Sequence, residues 1–267
     1  MTMDVISAVS IAEASAAMTD SARYFAGGTL LMREVNYGNC DFDRLVVSDD
    51  TELRNIHVNG DQITIGAGVT MTMMLRHPDL AFLADAARSV GGPAIRNMAT
   101  IGGNLFAPRP YGDLASALLA LDATVHWASG QEHSIDQFFE LPRTATDIVT
   151  SISVRRPMSG GFRYMKVSRV KPKGVSVLTI AALLNRQNGR VGNVRLAFGG
   201  MAPQPVRAKA AEQALQGASL DEAGIQNCIA ATNEGLTPMD DALASAWYRL
   251  EVAPVYLRRL LLQRGDY

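Results

Sequence analysis

Sulfur ligands are nearly absent from this chain of 267 residues. Its two cysteines, Cys40 and Cys228, stand far apart and form no Cys-x-x-Cys pair. An iron–sulfur cluster takes four thiolates and a structural zinc site a similar set, so neither is built from this chain alone. The two thiols read as ordinary residues of a reducing compartment. A basic excess is missing too: 25 Lys and Arg face 26 Asp and Glu, for a net charge of −1. Nothing offsets the charge of a phosphate backbone, which argues against nucleic acid as the main partner. The first residues, Met1-Thr2-Met3-Asp4-Val5-Ile6, carry no basic segment and no long apolar core, and no run of about 18 apolar residues occurs. The expectation is a cytoplasmic protein without a membrane partner.

Motifs of several enzyme classes are also missing. The four histidines, His57, His77, His126 and His133, belong to no His-Glu-x-x-His or Ser-His-Asp pattern, so hydrolase readings have no support. A Walker A sequence is absent. Gly66-x-Gly68 opens a dinucleotide fingerprint, but Met71 stands where the third glycine belongs. Met71, Met73 and Met74 read as core packing or an adaptable surface, not a metal site.

What is present is apolar residue, at 48%, and enough length for two or three small domains with a sizeable core. Ser10-Ile11-Ala12-Glu13 has capping-box spacing and predicts a helix to about Asp20. A helix is predicted over 79–90, stopped by Gly91-Gly92-Pro93, and another from Asp113 through Leu121. Strands are predicted at 23–26, 45–47, 63–68, 124–127 and 147–154. Three longer ones follow, at 162–168, 176–185 and 190–198, the last two joined through Asn188-Gly189. Residues 155–161 read as a linker.

Two stretches carry the chemistry. Thr100-Ile101-Gly102-Gly103-Asn104 and Ala26-Gly27-Gly28-Thr29 are both Gly-Gly-polar segments after an apolar run. Such a loop can turn successive backbone N–H groups toward a phosphate. One Gly-Gly pair means little; two of the same design suggest two clamps on one diphosphate. Gly103 is expected to adopt a positive φ and to leave room for that group.

These residues resemble a family, the FAD-binding medium subunit of the molybdenum hydroxylases, which includes xanthine dehydrogenase, carbon monoxide dehydrogenase and bacterial aldehyde dehydrogenases. The resemblance rests on the AGG-T loop, the TIGGN loop, and the segment Gly112-Asp113-Leu114-Ala115-Ser116-Ala117-Leu118-Leu119-Ala120-Leu121-Asp122-Ala123, in that order. It continues through residues 199–208, GGMAPQPVRA, to Tyr248-Arg249.

The resemblance implies an α+β fold: a two-part FAD-binding domain of the vanillyl-alcohol-oxidase/PCMH type, then a three-stranded antiparallel sheet with helices, like the carbon monoxide dehydrogenase flavoprotein C-terminal domain. The domains would span 1–158, divided near 58, and 159–267. It implies that FAD contacts Phe25, Ala26, Gly27, Gly28, Thr29 and Leu30, then Val90, then Thr100, Ile101, Gly102, Gly103 and Asn104, and finally Asp113, Val149 and Lys166. Leu30 stands where the family has an acidic or polar residue. Asp113 would accept from sugar hydroxyls, or else cap its own helix. Val90 and Val149 could equally be core. Lys166 would favour the anionic reduced flavin, or else be an exposed strand lysine. No residue is assigned a catalytic or metal-ligating role.

Two departures stand out: a basic loop, Arg169, Lys171, Lys173 and Gly174, without the family's acid, and Arg109 at a position that is often small. No His or Cys lies in a Gly-Gly loop, so FAD is expected to bind non-covalently. The implied partners are a large subunit with the molybdenum cofactor and a small subunit with two [2Fe–2S] clusters, in a heterohexamer. The external acceptor, NAD, oxygen or quinone, is left open. The competing readings are a self-contained FAD-dependent oxidase or dehydrogenase and a non-redox nucleotide-binding module. The C-terminal Leu257, Leu260, Leu261 and Leu262 are either a docking surface or core.

Overall fold

The computed structural model describes residues 3–38, 40–142, 146–170 and 174–263. Lys171 and Lys173 of the basic loop lie outside the described residues. The described chain forms three sheets, of three, five and four strands.

The first sheet is parallel, in the order β1-β3-β2. It is built from β1 (Asp4–Ala8), α1 (Ile11–Ala17), β2 (Ala22–Tyr24), α2 (Leu31–Tyr37) and β3 (Arg44–Ser48). Each helix is the crossover that a parallel pair needs. Ser10 caps α1 by accepting from the Glu13 amide, and the Glu13 carboxylate accepts from Val9 N–H. The helix stops at Ala17, short of the expected Asp20.

The second sheet is antiparallel, in the order β4-β5-β8-β6-β7. Between β4 (Ile56–Asn59), β5 (Gln62–Gly66) and the rest of the sheet run five short helices. These are α3 (Met71–Arg76), α4 (Ala84–Ser89), α5 (Pro93–Met98), α6 (Ile101–Leu105) and α7 (Asp113–Ala120). Then come β6 (Thr124–Trp127), β7 (Glu132–Ser134), α8 (Ile135–Glu140) and β8 (Val149–Arg155). Residues 56–59 pair with β5, so the first two sheets part between Ser48 and Ile56, ahead of the expected division near 58. The helix expected over 79–90 is two pieces: a tight 3-10 stretch at Pro78–Leu83, then α4. Met71 and Met74 are fully buried among Ile63, Ile65, Leu80 and Leu118, which settles that group as core.

The third sheet holds β9 (Phe162–Ser168), β10 (Ser176–Gln187), β11 (Arg190–Gly199) and a two-residue β12 (Val206–Arg207), all antiparallel. The three long strands therefore gain a short fourth. Asn188 and Gly189 both take positive φ, 50° and 77°, as a tight hairpin with right-handed strand twist requires. Helices α9 (Lys209–Leu215), α10 (Gln226–Ala230) and α11 (Ala246–Leu262) follow. Leu257, Leu260 and Leu261 of α11 are buried with Leu196 and Phe198, and Leu262 packs partly buried against them, so these leucines are core and not a docking face.

Helix α7 is buried along its whole length. It packs against β10 and β11, and α4 packs against β9. The join is polar at its centre: Ser116 Oγ and Thr179 Oγ1 lie 2.8 Å apart, both buried. The third sheet thereby closes one side of a cleft whose other walls come from the first two.

Candidate functional site

The cleft is a cavity of about 1340 Å³. Ordinary small-molecule pockets hold roughly 300–1,000 Å³, so it has room for a large ligand. One wall is the free edge of β2 and the segment after it; another is α6 and the following loop; Lys166 and Ser176 come from the third sheet.

The segment from Phe25 to Leu30 joins β2 to α2. Phe25 continues the sheet by donating its N–H to Val46 O at 2.7 Å. After it the ladder stops. Among the described residues, the amides of Ala26, Gly27, Gly28, Thr29 and Leu30 donate to no protein acceptor. Gly28 has φ +66°, which turns the chain back over the Phe25 ring. A Cβ at Gly27 would stand 1.8 Å from Met98 O, so the loop lies directly on the end of α5. All six residues line the cavity. Leu30 opens α2 with no side-chain cap.

The second motif is built differently from expectation. Residues 101–105 are not a loop but the short helix α6, and the N–H groups are already spent. Ile101 donates to Val69 O and Gly102 to Ala67 O, each at 2.9 Å; Asn104 donates to Thr100 O at 2.9 Å. Gly103 donates to Thr100 Oγ1 at 3.1 Å. The motif is thus no second amide clamp. Its glycines allow close approach: a Cβ on Gly102 would meet Ala67 Cβ at 2.8 Å. Gly103 does not take the expected positive φ; it faces Ala26, whose Cβ would lie 3.9 Å from one added there. The two glycine motifs therefore face each other. Ile101 is a further correction: it is fully buried in the core beneath α6, where the helix packs on α7 and β8, and it is not on the cavity wall. Thr100, Gly102, Gly103 and Asn104 do line it. Asn104 Oδ1 accepts from Leu114 N–H at 3.0 Å, which ties α6 to α7.

Val90 and Val149 are both core and wall: each is nearly buried, and each lines the cavity. Asp113 does not cap α7; Gly112 is the cap residue and no side chain serves there. The Asp113 carboxylate instead accepts from Lys166 Nζ at 2.7 Å and Ser176 Oγ at 2.5 Å. Lys166 is accordingly no exposed strand lysine; its side chain is 13% exposed. Tyr164, buried beside them, donates to Asp113 O at 3.1 Å. Burial, and then the Asp113 charge, push its phenol well above the usual value, so it stays neutral.

Several residues of the site carry no local signal. Ser176 and Ser89 are a strand residue and a helix residue with nothing around them to mark them. Arg33 and Tyr111, 78 residues apart in sequence, meet across the cavity wall: Arg33 Nη1 donates to Tyr111 Oη at 2.8 Å, with the guanidinium 5.4 Å from the ring centroid. Arg109, noted as a departure, donates to Ala202 O at 3.0 Å and reaches Asp241 at 3.4 Å. It anchors the loop after α6 to the C-terminal unit.

Residues 1–157 match a family described as the FAD binding domain in molybdopterin dehydrogenase, and residues 163–264 match the CO dehydrogenase flavoprotein C-terminal domain. The chain belongs to this flavoprotein family. It is 27% identical to a putative xanthine dehydrogenase FAD-binding subunit of Escherichia coli, over 95% of this chain and 93% of that one. It is 29% identical to a nicotinate dehydrogenase FAD-subunit of Eubacterium barkeri, over 90% and 87%. Among solved structures it resembles carbon monoxide dehydrogenase from Hydrogenophaga pseudoflava, with a TM-score of 0.90 and 26% identity over 98% of this chain and 96% of that one. Like its relatives, this member of the family is an oxidoreductase subunit of the molybdenum hydroxylase kind. Both cysteines are free, and among the described residues no group of three His, Cys, Asp or Glu side chains could hold a metal ion. No helix among them is long and apolar enough to cross a membrane.

Proposed function

We propose that the cleft binds one FAD non-covalently and that the subunit transfers electrons within a molybdenum hydroxylase complex. The observation that carries this reading is the row of five backbone amides at residues 26–30, facing a cavity of dinucleotide size with no protein acceptor. Successive backbone N–H groups left open on a concave wall form a site that suits an anion such as a diphosphate. The residues present fit FAD. Amides 26–30 would hold the diphosphate. Thr100, Gly102, Gly103 and Asn104 would close over it from the facing side. Val90 and Val149 would give an apolar slot, and Lys166 a positive group. FAD, when bound, supplies redox chemistry that accepts electrons singly or in pairs. The chain's own residues bind it, orient it and exclude water.

Among the described residues no group of three His, Cys, Asp or Glu side chains could hold a metal centre, and the reading places those centres on other chains. The large subunit with the molybdenum cofactor would oxidise substrate, and the small subunit with two [2Fe–2S] clusters would deliver electrons here. An external acceptor would take them on.

The test has two arms. The purified chain is assayed for flavin released by acid, and for dye reduction with aldehydes, purines and nicotinate-like compounds. It is then assayed after co-expression with its genomic neighbours. Releasable FAD with no turnover alone, and turnover in a complex of three subunit types, is the expected result. Turnover by the isolated chain would instead favour the self-contained oxidase reading.

A further inference from the structure

The Asp113–Lys166 pair is held by groups outside both glycine motifs. Asp113 begins α7, and its two oxygens have separate partners. Oδ1 accepts from Ser176 Oγ at 2.5 Å. Oδ2 accepts from Lys166 Nζ at 2.7 Å and from Ser89 Oγ at 3.4 Å. Lys166 gives a second N–H to the Ser89 carbonyl at 2.8 Å. An ammonium has three donors. Two are used within the protein, and Lys166 lines the cavity, so the third is left for its occupant.

A lysine side chain is flexible, and two fixed acceptors set the direction of its remaining N–H. The Ser89 carbonyl is held by the backbone; the second acceptor stays fixed only if the Asp113 carboxylate does. Ser176 is 7% exposed, at the first position of β10, beside the strand that carries Lys166. Its single proton is committed to Oδ1. Without it, that oxygen could turn toward Lys166 and grip the ammonium with both oxygens, drawing the positive charge away from the cavity. Tyr164 cannot replace it, because its hydroxyl is engaged with the Asp113 carbonyl and Ser89.

We propose that Ser176 is a positioning residue: by holding one oxygen of Asp113 it leaves the other to anchor Lys166, whose third N–H is thereby directed into the cavity that would hold FAD. The inference rests on the FAD reading above. It has an electrostatic consequence, because reduction places negative charge on the ring. Lys166 favours that change, Asp113 opposes it, and Ser176 sets how far each is felt.

The test uses the co-expressed complex with Ser176→Ala, Ser176→Thr, Lys166→Met and Asp113→Asn. FAD per chain, the flavin absorption bands and the flavin midpoint potential are measured for each. Lys166→Met is expected to lower the potential and Asp113→Asn to raise it. Ser176→Ala is expected to lower it by part of the Lys166→Met shift, with FAD content unchanged, and Ser176→Thr to restore it. A wild-type potential and spectrum in Ser176→Ala, or no restoration by threonine, overturns the proposal. Should Ser176→Ala fail to fold, Ser176→Cys, a weaker donor of similar size, decides: a partly lowered potential supports the proposal, and a wild-type potential overturns it. Wild-type protein without FAD would overturn the earlier reading instead, before any variant is compared.

Discussion

Gly27 leaves no room for a side chain. Its Cα faces the Met98 carbonyl so closely that a methyl group would sit 1.8 Å from the oxygen. No rotamer relieves a clash between a Cβ and backbone. Gly27→Ala should therefore push the 26–30 segment off α5, at about 1–3 kcal/mol for overpacking. Soluble protein with intact secondary structure but little FAD is the expected outcome, read from the ratio of flavin to protein absorbance. Tyr24, at the end of β2, gives a second prediction. Burial, and next the charge of Asp50, raise its phenol from 10.0 to about 12. The unfolded chain thus loses this proton at lower pH than the folded one. The associated stability is intact below pH 10 and falls as pH rises toward 12. Denaturant titrations across that range should show a gentler decline in Tyr24→Phe than in the wild type.

At the scale of elements, the contact between α2 and the loop after α6 forms a strap beside the two facing glycine motifs. It consists of Arg33 and Tyr111, both exposed on the cavity wall. An exposed bridge of this kind contributes little to affinity, but it spans the cavity wall beside the 26–30 segment. Tyr111→Leu should speed FAD uptake and release by similar factors and leave the dissociation constant nearly unchanged, as stopped-flow mixing would show. A change in release alone would make Tyr111 an ordinary ligand contact. The leucines of α11 teach a different lesson about elements. A run of apolar residues beside arginines is compatible with a docking face or a core, and only the packing against β10 and β11 shows that it is core.

At the scale of the molecule, one arginine ties the C-terminal unit together. Arg249 is 1% exposed and donates to Val177 O, Met239 O, Ala244 O and Asp241 Oδ2 at 2.6–3.0 Å. Asp241 in turn meets Arg109 from the loop after α6. Arg249→Met would leave the Val177 and Met239 carbonyls without this donor and should cost about 1–3 kcal/mol for each buried acceptor left unpaired. The measurement is the urea midpoint. Because Arg109 links this hub to the cavity loop, faster FAD release should accompany the loss of stability.

The sequence alone determined what depends on near neighbours and residue type. Asn188-Gly189 forms its hairpin because both residues tolerate positive φ. Residues 26–30 form an open loop because Gly27 and Gly28 admit a backbone course that side chains would block. The order of the glycine and Gly-Asp-Leu motifs was enough to indicate a flavoprotein, and the scarcity of cysteine to place metal centres elsewhere. Tertiary structure alone decided what depends on partners distant in the chain. The amides of 103 and 104 go to Thr100, the cap of their own helix, but those of 101 and 102 are taken because α6 docks on Val69 and Ala67, and no local rule says which strand end a helix will meet. Ile101 turns inward for the same reason. Asp113 holds Lys166, and not its own helix end, because α7 is covered by a sheet that begins some fifty residues later. Hydrogen-bond donors are written in the sequence; which of them remain free for a ligand is settled only when the folded chain has used the others.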